Sequence, residues 1–132
     1  MLKYLNVRSR QRNEFIDITA DIEQALRESG IEEGVCLIYV PHTTAGVTIN
    51  ESADPAVRSD ILESLTRLAP HDPGYSHREG NSDAHIKSTL TGAGVQVPVE
   101  AGKLALGTWQ AVYFCEFDGP RHRRCAVKFM RG

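Results

Sequence analysis

VQVPVEAGKLALGTWQAVYFCEFDGPRHRRCAVKFM, residues 95–130, reads throughout as antiparallel sheet. Val95, Val97 and Val99 alternate with Gln96, Pro98 and Glu100, the period of two expected of a strand with one buried face. Glu100-Ala101-Gly102-Lys103 predicts a hairpin turn, and Leu104 to Leu106 resume the extended chain. Thr108 to Asp118 predicts a long strand that Gly119-Pro120 turns and Arg121 to Met130 returns beside. Its odd positions (Trp109, Ala111, Tyr113, Cys115, Phe117) are apolar and face a core. Its even positions (Gln110, Val112, Phe114, Glu116, Asp118) are too apolar for open solvent yet carry Gln and Glu, which predicts a pocket lining or a subunit interface.

Working outward, Lys3 to Arg10 and Glu14 to Ile18 read as two short strands. Ile18, Ile22, Ala25 and Leu26 then form the i, i+4, i+7, i+8 stripe of an amphipathic helix, with Thr19 as its expected cap and Gly30 as its stop. Gly34 to Val40 is a buried strand and Thr44 to Asn50 its expected neighbour. Asp54 at the N-cap and Pro55 at N1 open the clearest helix, whose apolar face is Val57, Ile61, Leu62, Leu65 and Leu68 before Pro70 ends it. Residues 70–80 hold two prolines and two glycines and exclude a regular element. A short helix starts at Asn81 or Ser82 and stops before Gly92. The order β-β-α-β-β-α-α-β-β-β-β lacks strict strand–helix alternation, so the expected class is α+β, a single domain over residues 1–132 with a largely antiparallel sheet and about three helices.

Composition narrows the function. The chain has 132 residues, 41% apolar and 24% charged, with a net charge of −2, an ordinary globular balance that gives no bulk electrostatic case for nucleic acid or an anionic membrane. Three cysteines without a CxxC argue against a disulfide scaffold or a thiolate zinc cluster. The first ten residues lack the apolar core of a signal peptide and the longest apolar run, Val35 to Pro41, is far short of a bilayer span, so the expected location is the cytoplasm. There is no P-loop, GxGxxG or G-x-S-x-G, which leaves NTP hydrolysis, Rossmann redox chemistry and α/β-hydrolase chemistry unsupported.

The chemistry-bearing residues fall in short polar segments. His42, in Pro41-His42-Thr43-Thr44-Ala45-Gly46, sits just past a buried strand where a loop can project it into a cleft. Thr43 and Thr44 add hydroxyls, and Asn50 and Glu51 end the next strand. The structural alternative is that the threonines are turn and strand formers and His42 bonds a loop carbonyl. Farther on, His77 lies in a loop and His85 one turn inside a helix, where Asn81 and His85, four apart, share a face. Gly80 lets His77 fold back over that face. H-x7-H is not a standard zinc spacing. Gly80-Asn81-Ser82 opens the helix as an anionic phosphate would require, although Asn81 and Ser82 are also good caps. Arg121-His122-Arg123-Arg124 reads as a solvated, charged sheet edge from which Arg121 can reach a phosphate.

Taken together, His42 to Glu51, Glu79 to Ser88, Leu106 to Gln110 and Phe117 to Arg121 resemble the YjbQ-like family, small proteins also called secondary thiamine-phosphate synthases, over about residues 3–129. The resemblance implies a compact α+β domain that assembles as a homotrimer, with His42, His77 and His85 as metal ligands and Glu51 and Glu116 as the acidic catalytic candidates. Thr43, Thr44, Asn50, Asn81, Ser82, Gln110 and Arg121 are the residues expected to bind the phosphorylated substrate. The implied activity is a weak thiamine-phosphate synthase that joins a pyrimidine diphosphate to a thiazole phosphate and releases pyrophosphate. Histidine ligands favour zinc or another transition metal over magnesium, which takes oxygen donors. The expected partners are a phosphorylated small molecule and further copies of the chain, with no nucleic acid and no membrane. A reading from a different class is a non-catalytic metal- or ligand-binding oligomer whose histidines organise a subunit interface.

Overall fold

The computed structural model describes residues 2–132. Its elements are β1 (Leu2–Arg8), β2 (Glu14–Asp17), α1 (Thr19–Ser29), β3 (Gly34–Tyr39), β4 (Ala45–Glu51), α2 (Pro55–Leu68), α3 (Ser82–Thr91), β5 (Gly94–Glu100), β6 (Lys103–Leu104), β7 (Gln110–Glu116) and β8 (His122–Arg131). All strand pairs are antiparallel, and they form two sheets: β1-β8-β3-β5-β6 and β2-β7-β4. The class is α+β, in one domain.

Two expected strand pairings are corrected. β7 and β8 are not a hairpin: β8 pairs with β1 and β3, while β7 pairs with β2 and β4, so Gly119-Pro120 carries the chain from one sheet to the other. Nor are β3 and β4 neighbours, since β3 lies between β8 and β5. The reason is that both faces of β7 are buried. Val112 and Phe114 join Val7, Cys36, Ile38, Val97 and Val127 between the two sheets, where α1 adds Ile22 and Leu26. Ala111, Tyr113, Cys115 and Phe117 face the other way, against Ala84 of α3 and Ile61, Leu62 and Leu65 of α2. A three-layer stack of sheet, sheet and helices covers both faces. The mixed even face of the strand is therefore inter-sheet core.

Local signals hold with small changes. Thr19 lies inside α1 rather than capping it, and its Oγ1 accepts from the Val112 N–H at 2.9 Å, tying the helix to β7. Gly30 ends α1 in the left-handed region at φ 71°. Asp54 caps α2 by accepting from the Ala56 N–H at 2.9 Å. The β5–β6 hairpin turns through Ala101 and Gly102 at φ 52° and 74°, the positive values a two-residue turn of this hand demands. Lys87 is buried, donates to Asn13 Oδ1 (2.9 Å) and Thr66 Oγ1 (3.2 Å), and so pins α3 to α2 and to the β1–β2 loop; burial pushes its pKa down. Cys36, Cys115 and Cys125 are buried free thiols, and burial raises all three, Cys36 and Cys125 to about 12. Among the described residues no helix is long and apolar enough to cross a membrane.

β4 lies close against the end of α3. Ser88 Oγ donates to Ala45 O at 2.6 Å and the Val47 N–H to Gly92 O at 3.1 Å. A Cβ on Gly46 would clash with Thr91 Oγ1 and sit 2.7 Å from Gly92 O. Gly46→Ala is expected to destabilise the protein by about 1–3 kcal/mol, the cost typical of overpacking. Thermal unfolding measures this, and an unchanged midpoint would show that β4 and α3 separate without loss.

Candidate functional site

Glu116 and Arg123 meet where the two sheets converge at one end. Glu116 projects from β7 toward the other sheet, and Arg123, with the parity of Cys125 and Val127, projects inward from β8. Arg123 Nε donates to Glu116 Oε1 at 2.9 Å and Nη2 donates to Oε2, a bidentate fork. Ser9 Oγ donates to Oε1 (2.7 Å) and the Asp118 N–H to Oε2 (3.0 Å), so each carboxylate oxygen receives two donors. Burial by itself would raise the Glu116 pKa, but the bonds from Arg123, Ser9 and Asp118 outweigh it and the pKa is lowered. Arg123 Nη2 also reaches Thr44 Oγ1 at 2.8 Å, which fastens the 41–44 loop to the pair. Nη1 has no hydrogen-bond partner among the described residues.

Asp118 forms the next link. Its Oδ2 accepts from Asn81 Nδ2 (2.8 Å) and Arg121 Nη2 (2.9 Å), and its Oδ1 accepts from Arg12 Nη1 (3.3 Å), whose Nη2 also pairs with the buried Asp83. Burial pushes the Asp118 pKa up, but Asn81 and Arg121 bring it net below its ordinary value. Asn81 therefore does not cap α3 with its side chain; it binds the start of that helix to the β7–β8 connection. Its Oδ1 is buried without a partner. Turning the amide over would aim that oxygen at the Asp118 carboxylate, so the orientation is fixed.

Above this base lies a cavity of about 420 Å³, lined by Pro41, His42, Thr43, Thr44, His77, Glu79, Asn81, His85, Asp118, Arg121 and Arg123. His77 and His85 face each other edge to face, ring centroids 5.3 Å apart, and His77 Nε2 is 3.9 Å from Glu79 Oε1. His71 Nε2 lies 2.7 Å from Gly80 O, where a protonated ring nitrogen holds the loop in place. His42 Nε2 accepts the Arg124 N–H at 3.0 Å, which leaves the ring proton on Nδ1 and occupies the lone pair a metal would use. Burial first, and the positive charge of Arg123 second, lower the His42 pKa.

The structure thus places His42, His77, His85, Thr43, Thr44, Asn81 and Arg121 around one cavity, and it separates the others from it. Glu51, Asn50 and Gln110 stand at the far end of the β4–β7 ladder, where Glu51 pairs with Gln110, whereas Ala45 pairs with Glu116 at the cavity end. Six residues of strand, roughly 20 Å, divide the two ends. There Gln110 Oε1 accepts from the Gly107 N–H and Asn50 Oδ1 from the Glu51 N–H, both local structural bonds. Glu116 is sealed beneath Arg123 and does not line the cavity, and Ser82 lies outside the lining as well. Arg123 is not on a solvated edge: at 5% exposure it is inside the protein. The alternation of Arg123, Cys125 and Val127 was the signal that it points inward. Asp118, which doubles as an ordinary turn residue, and Glu79 carried no such signal. Among the described residues no three His, Cys, Asp or Glu side chains are grouped as a metal site; His77 and His85 are the two facing nitrogen donors.

A family model described as "UPF0047 protein YjbQ-like" matches residues 3–132. The UPF0047 protein YugU of Bacillus subtilis is 53% identical over 131 residues, covering 98% of this chain and 99% of that protein. A UPF0047 protein of Methanocaldococcus jannaschii is 49% identical over 98% of this chain and 94% of its own length. A crystal structure of an uncharacterised YjbQ/UPF0047 protein from Clostridium acetobutylicum superposes with a TM-score of 0.95 at 48% identity, over 97% of this chain and 99% of that one. A YbjQ-like protein of unknown function from Sulfolobus solfataricus gives 0.95 at 34% identity, over 100% and 97%.

The lowered His42 pKa links folding to pH. The unfolded ring, near 6.5, binds its proton more tightly than the folded one, so the contribution of His42 to stability is complete above that value and is lost as the pH falls through the lowered one. His42→Asn keeps an acceptor for the Arg124 N–H and cannot titrate. Between pH 7.5 and 5.5 the urea midpoint is expected to fall more steeply in the wild type than in His42→Asn; equal slopes would refute the linkage.

Proposed function

The chain belongs to the YjbQ-like UPF0047 family, and from that membership and the cavity we propose that it is a small enzyme acting on a phosphorylated small molecule, with weak thiamine-phosphate synthesis as its reaction. The observation that carries the reading is the convergence of His42, His77, His85, Asn81 and Arg121, from three distant parts of the chain, around one open cavity. In the reaction the bond from the pyrimidinylmethyl carbon to pyrophosphate breaks with its electron pair leaving on oxygen, and the thiazole nitrogen forms the new bond to that carbon. Arg121, held by Asp118, offers its guanidinium to the phosphate oxygens. His42 donates through Nδ1, and Asn81 at the start of α3 lines the same cavity.

Charge counting supports a cation at the site. Arg123 is paired with Glu116, Arg121 with Asp118, and Arg12 behind them with Asp83 and Asp118, while Glu79 adds a further negative charge to the cavity wall. A multiply charged phosphate therefore needs further positive charge. His77 and His85 fit as nitrogen ligands of zinc or another divalent transition metal, which would neutralise the departing pyrophosphate. His42 fits this role less well, because its Nε2 is already bonded.

Self-association is part of the proposal. On the outward face of the larger sheet Tyr4 and Tyr39 flank Ala126 in one cross-strand row, and Leu2 and Met130 are also exposed. An antiparallel sheet that faces water normally presents polar residues there, so this face supports the trimer that the family resemblance implies. It also favours a second reading, in which the chain is a ligand-binding oligomer without turnover.

Purified protein supplied with both thiamine precursors and a divalent metal is expected to form thiamine phosphate, and His85→Ala to lower kcat/KM about tenfold or more. Unchanged product formation in that variant would overturn the site. Chelation with light scattering separates the second reading: loss of the trimer with no turnover to lose favours the binding role.

A further inference from the structure

We propose that Arg123 is a ligand-binding residue of the cavity, its unspent Nη1 edge receiving an oxyanion of the substrate while Glu116 serves as the positioning carboxylate. Arg123 is 5% exposed, yet it lines the cavity. Its Nε and Nη2 are committed to Glu116 and Thr44, which fixes the plane of the guanidinium. Nη1 keeps both of its N–H groups without a partner among the described residues. It is not sealed in, for the buried side-chain atoms left unpaired are Arg58 Nε and Asn81 Oδ1. A rigid guanidinium, fixed on two sides and with two free donors at a cavity wall, offers them to an acceptor within the cavity.

Arg123 differs in this from Arg121, whose side chain is 51% exposed and folds onto its own turn through Asp118 O and Oδ2. A charge-assisted bond made inside the protein is screened less than one at the surface. Arg123 is also held on two sides before any ligand arrives, so little rotamer freedom is lost on binding. The ligand class that matches is an oxyanion presenting two acceptor oxygens, a phosphate or diphosphate ester. Neither an ammonium nor an apolar group would satisfy two N–H donors.

The inference rests on the proposed function only for the phosphorylated nature of the ligand. Calorimetry with inorganic pyrophosphate and inorganic phosphate on metal-free protein tests it directly. Arg123→Lys keeps the charge opposite Glu116 but loses the Nη1 edge, and is expected to weaken pyrophosphate binding at least tenfold; Arg121→Ala is expected to weaken it by less. Binding by Arg123→Lys within twofold of wild type, or no saturable binding of either anion to the wild type, would overturn the proposal. Should Arg123→Lys fail to fold, the guanidinium ¹⁵N resonances of Arg123 in the wild type supply the answer. They shift on saturation with pyrophosphate if Nη1 is the contact and stay fixed if it is not. If Arg123 governs pyrophosphate affinity while no thiamine phosphate forms, the synthase reading fails and this assignment stands.

Discussion

The buried fork between Glu116 and Arg123 is the constraint on which the rest of this end of the molecule depends. It joins β7 of one sheet to β8 of the other across a gap that hydrophobic side chains fill everywhere else. A lone charge in such a place is costly, and removing one partner of a buried pair typically costs about 3–5 kcal/mol. The pair is tolerable because every oxygen of Glu116 is filled, by Arg123, by Ser9 and by the Asp118 N–H. Those donors come from the end of β1, the β7–β8 connection and β8, so satisfying one carboxylate fixes the relative position of three chain segments.

The cavity follows from that anchoring. Thr44 bonds to Arg123 and carries the loop with His42; Asp118 bonds to Asn81 and carries the start of α3 with His85; Arg12 closes the group by bridging Asp118 and Asp83. The floor is therefore rigid, polar and assembled from hydrogen bonds that run in one connected series. His77, on a loop fastened through the contact of His71 with Gly80, closes over it from one side. The division is between a preorganised polar base and more exposed histidine rings above it.

Much of the fold was legible in the sequence because its local signals were strong. The stripe of Ile18, Ile22, Ala25 and Leu26 is buried at and along α1, Asp54 and Pro55 start α2, and Ala101-Gly102 turns β5 into β6, since each depends on a few neighbouring residues. The pairing of the strands was not legible. Residues 108–130 satisfy the pattern of a hairpin as well as that of two strands in separate sheets. What separates the alternatives is the burial of both faces of β7, which depends on elements as distant as α2 and β2.

The site divides along the same line. From its own residues the chain determined an α+β domain, its three helices, and histidine-bearing polar segments at 42, 77 and 85, because residue type, period and turn chemistry are local properties. Tertiary structure alone decided that Glu51, Asn50 and Gln110 stand at the far end of a ladder, that Glu116 is sealed beneath an arginine, and that the inward-facing Arg123 meets a carboxylate and a cavity wall. The physical reason is that the role of a charged side chain is set by its partner and its access to water, and for Glu116 and Arg123 both come from the opposite sheet.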